Sequence, residues 1–277
     1  MHILCRLFRV DIAAYLARLG RPDLLGAPAT VDTLIQLHVA HIERVPYEAL
    51  EIWLGRPTTV DPLESAGRIM RGRGGYCYHL NGAFSELARA MGFQVTRHVG
   101  GVQTSGVAPG ITANHLVLTV AFPDGLWLAD LGLGDAIHEP LPLVEGRYRQ
   151  GPFEYGLRPS EFGWRFDHDP SGSFEGMDFG LAPAEMSAFA QKHEYLTTSP
   201  ESGFVRVATV QRRDSAGVDS LRGLTLTRNG QLVATLETPD DYFAALADVF
   251  GLTFGSADRE RLWARVWRAH KEWLAAR

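Results

Sequence analysis

Apolar residues recur at helical spacing through the first ninety or so positions, and polar residues between them mark where each helix begins and ends. Asp11 caps a short helix through Leu16 that Gly20 closes. Thr30 caps a second, whose apolar positions Leu34, Leu37, Ile42 and Val45 stop at Pro46. Asp61-Pro62 opens a third that runs to about Met70, with proline at the first helical position, where its missing N–H costs nothing. A fourth follows Arg73-Gly74-Gly75-Tyr76-Cys77, with Leu80, Phe84, Leu87 and Met91 at helical spacing and Gly92 at its end.

The pattern changes after Phe93. Val95, His98 to Val102, Leu116 to Phe122 and Leu126 to Leu131 are short β-prone runs, and Pro123-Asp124-Gly125 is a hairpin turn between two of them. Further short strands through about Trp164 predict an antiparallel sheet or small barrel. Residues 167–182, which open on Asp167-His168-Asp169-Pro170, are the most loop-like stretch and mark a boundary. The last third is mixed. It predicts a helix from Pro183 to about Tyr195, strands at Phe204 to Val210 and Leu221 to Thr227, and a turn at Arg228-Asn229-Gly230 into Gln231 to Leu236. A helix from Thr238 to Phe250 and a final one capped by Ser256 complete it.

Composition narrows the class. The chain has 277 residues, 45% hydrophobic and 21% charged, enough for one large domain or two to three smaller ones around a sizeable core. A net charge of −5 with no basic stripe gives no reason to expect a nucleic-acid partner. Arg6 and Arg9 interrupt the N-terminal apolar run, which does not read as a signal peptide, and no apolar run approaches the roughly 18 residues of a membrane span. A cytoplasmic protein is expected. The two cysteines, Cys5 and Cys77, make neither a disulfide framework nor a Cys-rich zinc motif. Cys5 reads as a packed residue. His38 and His41 stand one helical turn apart without a third ligand in register, so no metal is expected. Trp263, Trp267 and His270 share one face of the last helix, read as a packing face.

Cys77 carries the candidate chemistry. It falls in the first turn of a helix, where unpaired N–H groups and the dipole favour a thiolate. A nucleophilic cysteine needs a base and a group to orient that base. His115 opens one strand of the hairpin and Asp130 closes its neighbour, so pairing around the turn brings them together. Spacing alone leaves Cys77–His115–Asp130 one combination among several. His79 is a second histidine close to Cys77, but on a helix the two are about 200° apart, which gives His79 a structural reading.

Arg73-Gly74-Gly75-Tyr76-Cys77 followed by Asn81 resembles the nucleophile motif of the arylamine N-acetyltransferases. Asn114-His115-Leu116-Val117-Leu118 is similar to their histidine strand, and Leu128-Ala129-Asp130-Leu131-Gly132-Leu133-Gly134 to their aspartate segment. Val45-Pro46-Tyr47-Glu48-Ala49-Leu50 and Tyr195-Leu196-Thr197-Thr198-Ser199-Pro200 resemble two further stretches, all in the family's order. The resemblance implies an α+β fold with a cysteine-protease-like Cys-His-Asp core. Residues 1–92 would form a helical bundle carrying the cysteine, 93–182 an antiparallel β-barrel carrying His and Asp, and 183–277 an α/β lid.

It also implies acetyl transfer from acetyl-CoA, a cosubstrate rather than a resident cofactor, to an arylamine, arylhydrazine or related amine through an acetyl-cysteine. Cys77 would be the nucleophile, His115 the base and Asp130 its orienter. Tyr47, Glu48, Arg73, Tyr76, Asn81, Val102, Gly132 and Leu133 would line or support the site, with Glu48 and Arg73 paired across the cysteine loop. The loop Gln103 to Thr112 would lie near the coenzyme's pantetheine and pyrophosphate. His79, Ala49 and Leu133 depart from the family's pattern, and bear on the acceptor more than on the mechanism. Two other readings stay open: an amide synthase releasing a carrier-bound polyketide, and a transglutaminase-like thiol hydrolase.

Overall fold

The computed structural model describes residues 10–276, so Cys5 lies outside the described residues. Helices α1 (Ile12–Arg18), α2 (Val31–Arg44), α3 (Leu50–Leu54), α4 (Pro62–Met70) and α5 (Cys77–Ala90) come first, with the two-residue strand β1 (Tyr47–Glu48) between α2 and α3. Eight strands follow: β2 (Gln94–Gln103), β3 (His115–Phe122), β4 (Gly125–Leu128), β5 (Leu141–Pro142), β6 (Gly146–Gln150), β7 (Phe153–Ser160), β8 (Gly163–Asp167) and β9 (Gly176–Pro183). Then come α6 (Ala190–Thr198), α7 (Gly203–Arg206), β10 (Thr209–Asp214), β11 (Gly217–Arg222), β12 (Thr225–Arg228), β13 (Gln231–Thr235), α8 (Pro239–Asp248) and α9 (Ser256–Ala275).

The early helices start where their caps predict. Asp11 accepts from Ala14 N–H, Thr30 from Thr33 N–H, and Asp61 from Leu63 and Glu64 N–H. Strands β2 to β9 form one antiparallel sheet in the order β5-β4-β3-β2-β9-β8-β7-β6. Inside it, Val117, Leu128, Tyr155, Phe166, Met177 and Phe179 are fully buried. The outer side of β3 packs with the helices, where Leu116 and Leu118 join Phe84 and Leu87 of α5. A third core gathers α3, α8 and α9 on the five-stranded sheet β1-β10-β11-β12-β13. These are the helices, antiparallel sheet and α/β layer of the α+β class expected.

Several local expectations need correction. The loop-like stretch 167–182 contains β9, whose residues Phe179 and Met177 pair with Gly100 and Val102 of β2. Asp178 hid it by interrupting the apolar pattern, since its carboxylate is buried against Arg165 at 2.8 Å. Pro183 ends that strand instead of opening a helix. Phe204 belongs to the short α7, whose start Ser202 caps, and the strand begins only at Thr209. Gly255, not Ser256, is the N-cap of α9. Among the described residues no helix is long and apolar enough to cross a membrane.

Candidate active site

The loop before Cys77 is held by backbone contacts. Glu48 N–H donates to the Gly75 carbonyl at 2.9 Å, and the Glu48 carboxylate accepts from Gly74 N–H at 3.2 Å and Leu50 N–H at 2.6 Å. Burial pushes the Glu48 carboxyl above its ordinary value, against the opposing charge of Arg68. A Cβ on Gly74 would collide with the Pro46 carbonyl, so this approach requires glycine. The expected Glu48–Arg73 ion pair does not form. Arg73 instead sits 3.7 Å from Glu51, donates to the Thr253 carbonyl and lies over the Phe254 ring. The brace on the cysteine loop is therefore Glu48 acting through peptide N–H groups.

Cys77 is the first residue of α5 and its thiol is free. As the first helical residue it has an N–H with no partner in the helix's own hydrogen-bond ladder. His79 stands at the third helical position, and its Nδ1 accepts from Tyr76 N–H at 3.4 Å, the return half of a capping box. Burial, with the Arg68 and His193 charges adding to it, holds His79 well below the ordinary imidazole value. It is thus a neutral acceptor. The phenol of Tyr76 bonds His193 Nδ1 at 2.7 Å, while His193 Nε2 donates to the Thr58 carbonyl at 2.7 Å.

His115 and Asp130 meet as the hairpin predicts, although β4 ends at Leu128 and Asp130 lies just beyond it. His115 Nε2 donates to Asp130 Oδ2 at 2.8 Å, which leaves Nδ1 as the ring nitrogen on the Cys77 side, and the Cys77 thiol itself donates to the Asn114 carbonyl at 3.6 Å. Burial pulls the His115 imidazole down. The Asp130 carboxylate and the hydrogen bonds to Asp130 and Cys77 outweigh it, and the value is pushed up to about 10. Asp130 Oδ1 accepts from Asn81 Nδ2 at 2.8 Å and from Gly132 N–H at 2.9 Å. Asn81 also donates to the Leu116 carbonyl and accepts from Leu131 N–H. An added Cβ on Gly132 would stand 2.5 Å from Cys77 Cα.

These groups open into a cavity of about 290 Å³, whose lining includes Tyr47, Cys77, Val102, His115, Gly132 and Leu133. Glu48, Tyr76 and Asn81 are buried behind it. Sequence reasoning missed its far wall, formed by Phe204, Thr209, Gln211 and Arg222. The only local hint was the resemblance around Tyr195–Pro200, because these residues reach the site through the pairing of β1 with β10. His38 and His41 are buried away from the cavity mouth, bonded to the His138 carbonyl and the Tyr15 hydroxyl. Among the described residues no three His, Cys, Asp or Glu side chains gather to hold a metal.

A family model described as N-acetyltransferase matches residues 30–259. The arylamine N-acetyltransferase of Mycolicibacterium smegmatis is 30% identical, the match covering 93% of this chain and 97% of that one. The arylamine N-acetyltransferase / N-hydroxyarylamine O-acetyltransferase of Salmonella typhimurium is also 30% identical, over 86% of this chain and 88% of that one. The structure of the Mycobacterium marinum arylamine N-acetyltransferase in complex with CoA superposes with a TM-score of 0.81 at 27% identity, covering 92% of this chain and 98% of that one. Order of motifs, layering of the fold and near-full-length similarity converge: the chain belongs to the arylamine N-acetyltransferase family.

Proposed function

We propose that the protein transfers an acetyl group from acetyl-CoA to an arylamine, arylhydrazine or related amine, and that it does so in the cytoplasm, where its free thiol stays reduced. The observation that carries this reading is that Cys77 and His115 line one open cavity while a buried Asp130 bonds the His115 ring at 2.8 Å. His115 keeps a proton beside the sulfur at neutral pH, so the sulfur faces a cation on one side and a helix N-terminus on the other.

In the first half-reaction Cys77 Sγ attacks the thioester carbonyl, and the developing oxyanion turns toward the Cys77 N–H. The carbon–sulfur bond to the coenzyme breaks, and His115 gives its proton to the departing thiolate. In the second half an amine nitrogen attacks the acetyl-cysteine, His115 Nδ1 accepts its proton, and the amide leaves with Cys77 restored. Asp130 keeps Nε2 as a donor throughout, so the reactive nitrogen always faces the sulfur.

The test is to incubate the protein with acetyl-CoA and an aryl hydrazine or aminophenol and follow free CoA thiol. Amine-dependent release is expected, absent in Cys77→Ala, with an acetyl adduct on Cys77 by intact mass before amine is added. Peptide or ester hydrolysis without amine-dependent release would sink the reading.

A further inference from the structure

Tyr76 supplies the peptide that leads into Cys77, and its ψ of −173° sets the direction in which the first residue of α5 leaves the loop. The bonds from Glu48 to this loop stop at Gly75. A glycine turns easily about its own backbone bonds, so Tyr76 needs a separate hold. Its N–H donates to His79 Nδ1, and its carbonyl accepts from His79 and Leu80 N–H at 2.8 and 3.0 Å. Its ring lies 4.8 Å from that of Phe204 in α7, centroid to centroid. The far end of the side chain is fixed by α6, where His193 Nδ1 meets the phenol at 2.7 Å. The carbonyl of Thr58, between α3 and α4, takes the other ring nitrogen at 2.7 Å. A carbonyl only accepts, so Nε2 carries a hydrogen, Nδ1 of the neutral ring is the acceptor and the phenol donates. Tyr76 and His193 are 1% and 8% exposed, so water replaces neither partner.

His193 does not line the active-site cavity, but two residues joined to it do: Leu196, one turn along α6, and Phe204, whose ring packs on Tyr76. The imidazole therefore connects one wall of the cavity to the peptide that carries the nucleophile. Apolar packing fixes how far apart two groups stand, whereas a hydrogen bond between buried groups also fixes their direction. Resting on the acetyl-transfer reading above, we infer that His193 is a positioning residue for Cys77: through the Tyr76 phenol it holds the sulfur in line with the acyl carbon and in step with the wall that faces the amine. His79 grips the same residue at its peptide N–H, so two histidines from different elements hold Tyr76 at its two ends. A displacement of about 1 Å at a reacting atom costs up to about a hundredfold in rate, which makes one bond beside the nucleophile visible in kinetics.

Two rates report the aim of the sulfur, both followed by the mass of the Cys77 peptide: single-turnover acetylation by acetyl-CoA, and alkylation by iodoacetamide, which needs no acyl donor. His193→Leu and Tyr76→Phe each leave one buried partner unpaired. Acetylation is expected to fall about tenfold or more in both, with slower alkylation and a lower melting temperature. His193→Asn, whose Oδ1 takes the place of Nδ1, is expected to restore most of both rates. The double variant Tyr76→Phe/His193→Leu removes both polar groups at once. It is expected to regain most of the melting temperature while acetylation stays slow, since packing returns without the directed bond. Rates that recover together with the melting temperature in the double variant would make the bond merely structural and overturn the inference, as would wild-type values of both rates in either single variant. A wild type that takes no acetyl group on Cys77, while alkylation follows the same order of variants, would overturn the acetyl-transfer reading and leave the positioning role standing.

Discussion

One side-chain amide ties the nucleophile's helix to the third member of the site: Asn81 donates to Asp130 Oδ1 at 2.8 Å and accepts from the next peptide N–H, that of Leu131, at 2.8 Å. Asn81→Ala leaves a buried carboxylate oxygen with one donor fewer, and it frees the segment that aims Asp130 at His115. Acetylation of Cys77 is expected to slow by about tenfold to a hundredfold, with a lower melting temperature. Single-turnover mass spectrometry measures the first effect. A wild-type rate would show that Gly132 N–H and His115 hold Asp130 without the amide.

His79 does the capping work that a Glu or Gln side chain performs elsewhere at a third helical position. His79→Gln keeps an acceptor within reach of Tyr76 N–H and is expected to retain both stability and activity. His79→Ala leaves that N–H buried without its partner and is expected to cost about 1 kcal/mol in denaturant unfolding. Equal loss in the two variants would assign His79 a role other than capping.

Gly132→Ala places a methyl 2.5 Å from Cys77 Cα and 2.8 Å from its Cβ. Both atoms belong to a rigid helix start, so the strand end must retreat and take Asp130 with it. We expect loss of most Cys77 acetylation while the chain stays folded by circular dichroism. Activity within a fewfold of wild type would mean that the segment yields freely.

The raised His115 value makes stability pH-dependent in a definite direction. A group whose value rises on folding stabilises fully below its ordinary value, 6.5, and that contribution disappears as pH climbs through about 10. The melting-temperature difference between wild type and His115→Gln should be largest near pH 6 and shrink steadily toward pH 10. Asp130→Asn removes the main upward influence and should confine the change to a lower range. A difference that stays flat over this range would contradict the assigned cause.

Features set by neighbouring residues could be read from the chain. Asp11, Thr30 and Asp61 cap their helices because a cap acts over three positions, and the turn at Pro123-Asp124-Gly125 brings β3 and β4 together for the same reason. The meeting of His115 with Asp130 followed from that hairpin. What escaped depends on distant partners. β9 reads as loop until β2 pairs with it and Arg165 neutralises Asp178. Arg73 reads as the mate of Glu48 until Glu51, Thr253 and Phe254 compete for it. The far wall of the cavity is the clearest case, since nothing near Gln211 or Arg222 in the chain refers to Cys77.

Strand β1 is only two residues long, yet it carries two seams at once. On one side Tyr47 and Glu48 pair with Gln211 and Val210 of β10, and on the other Glu48 N–H bonds the Gly75 carbonyl beside Cys77. The main chain thus stitches the cysteine loop to the C-terminal sheet with no hinge between them. Opening the cleft as a clam opens would tear a sheet. The wall that carries Cys77 and the wall that carries Gln211 therefore keep their spacing through a catalytic cycle.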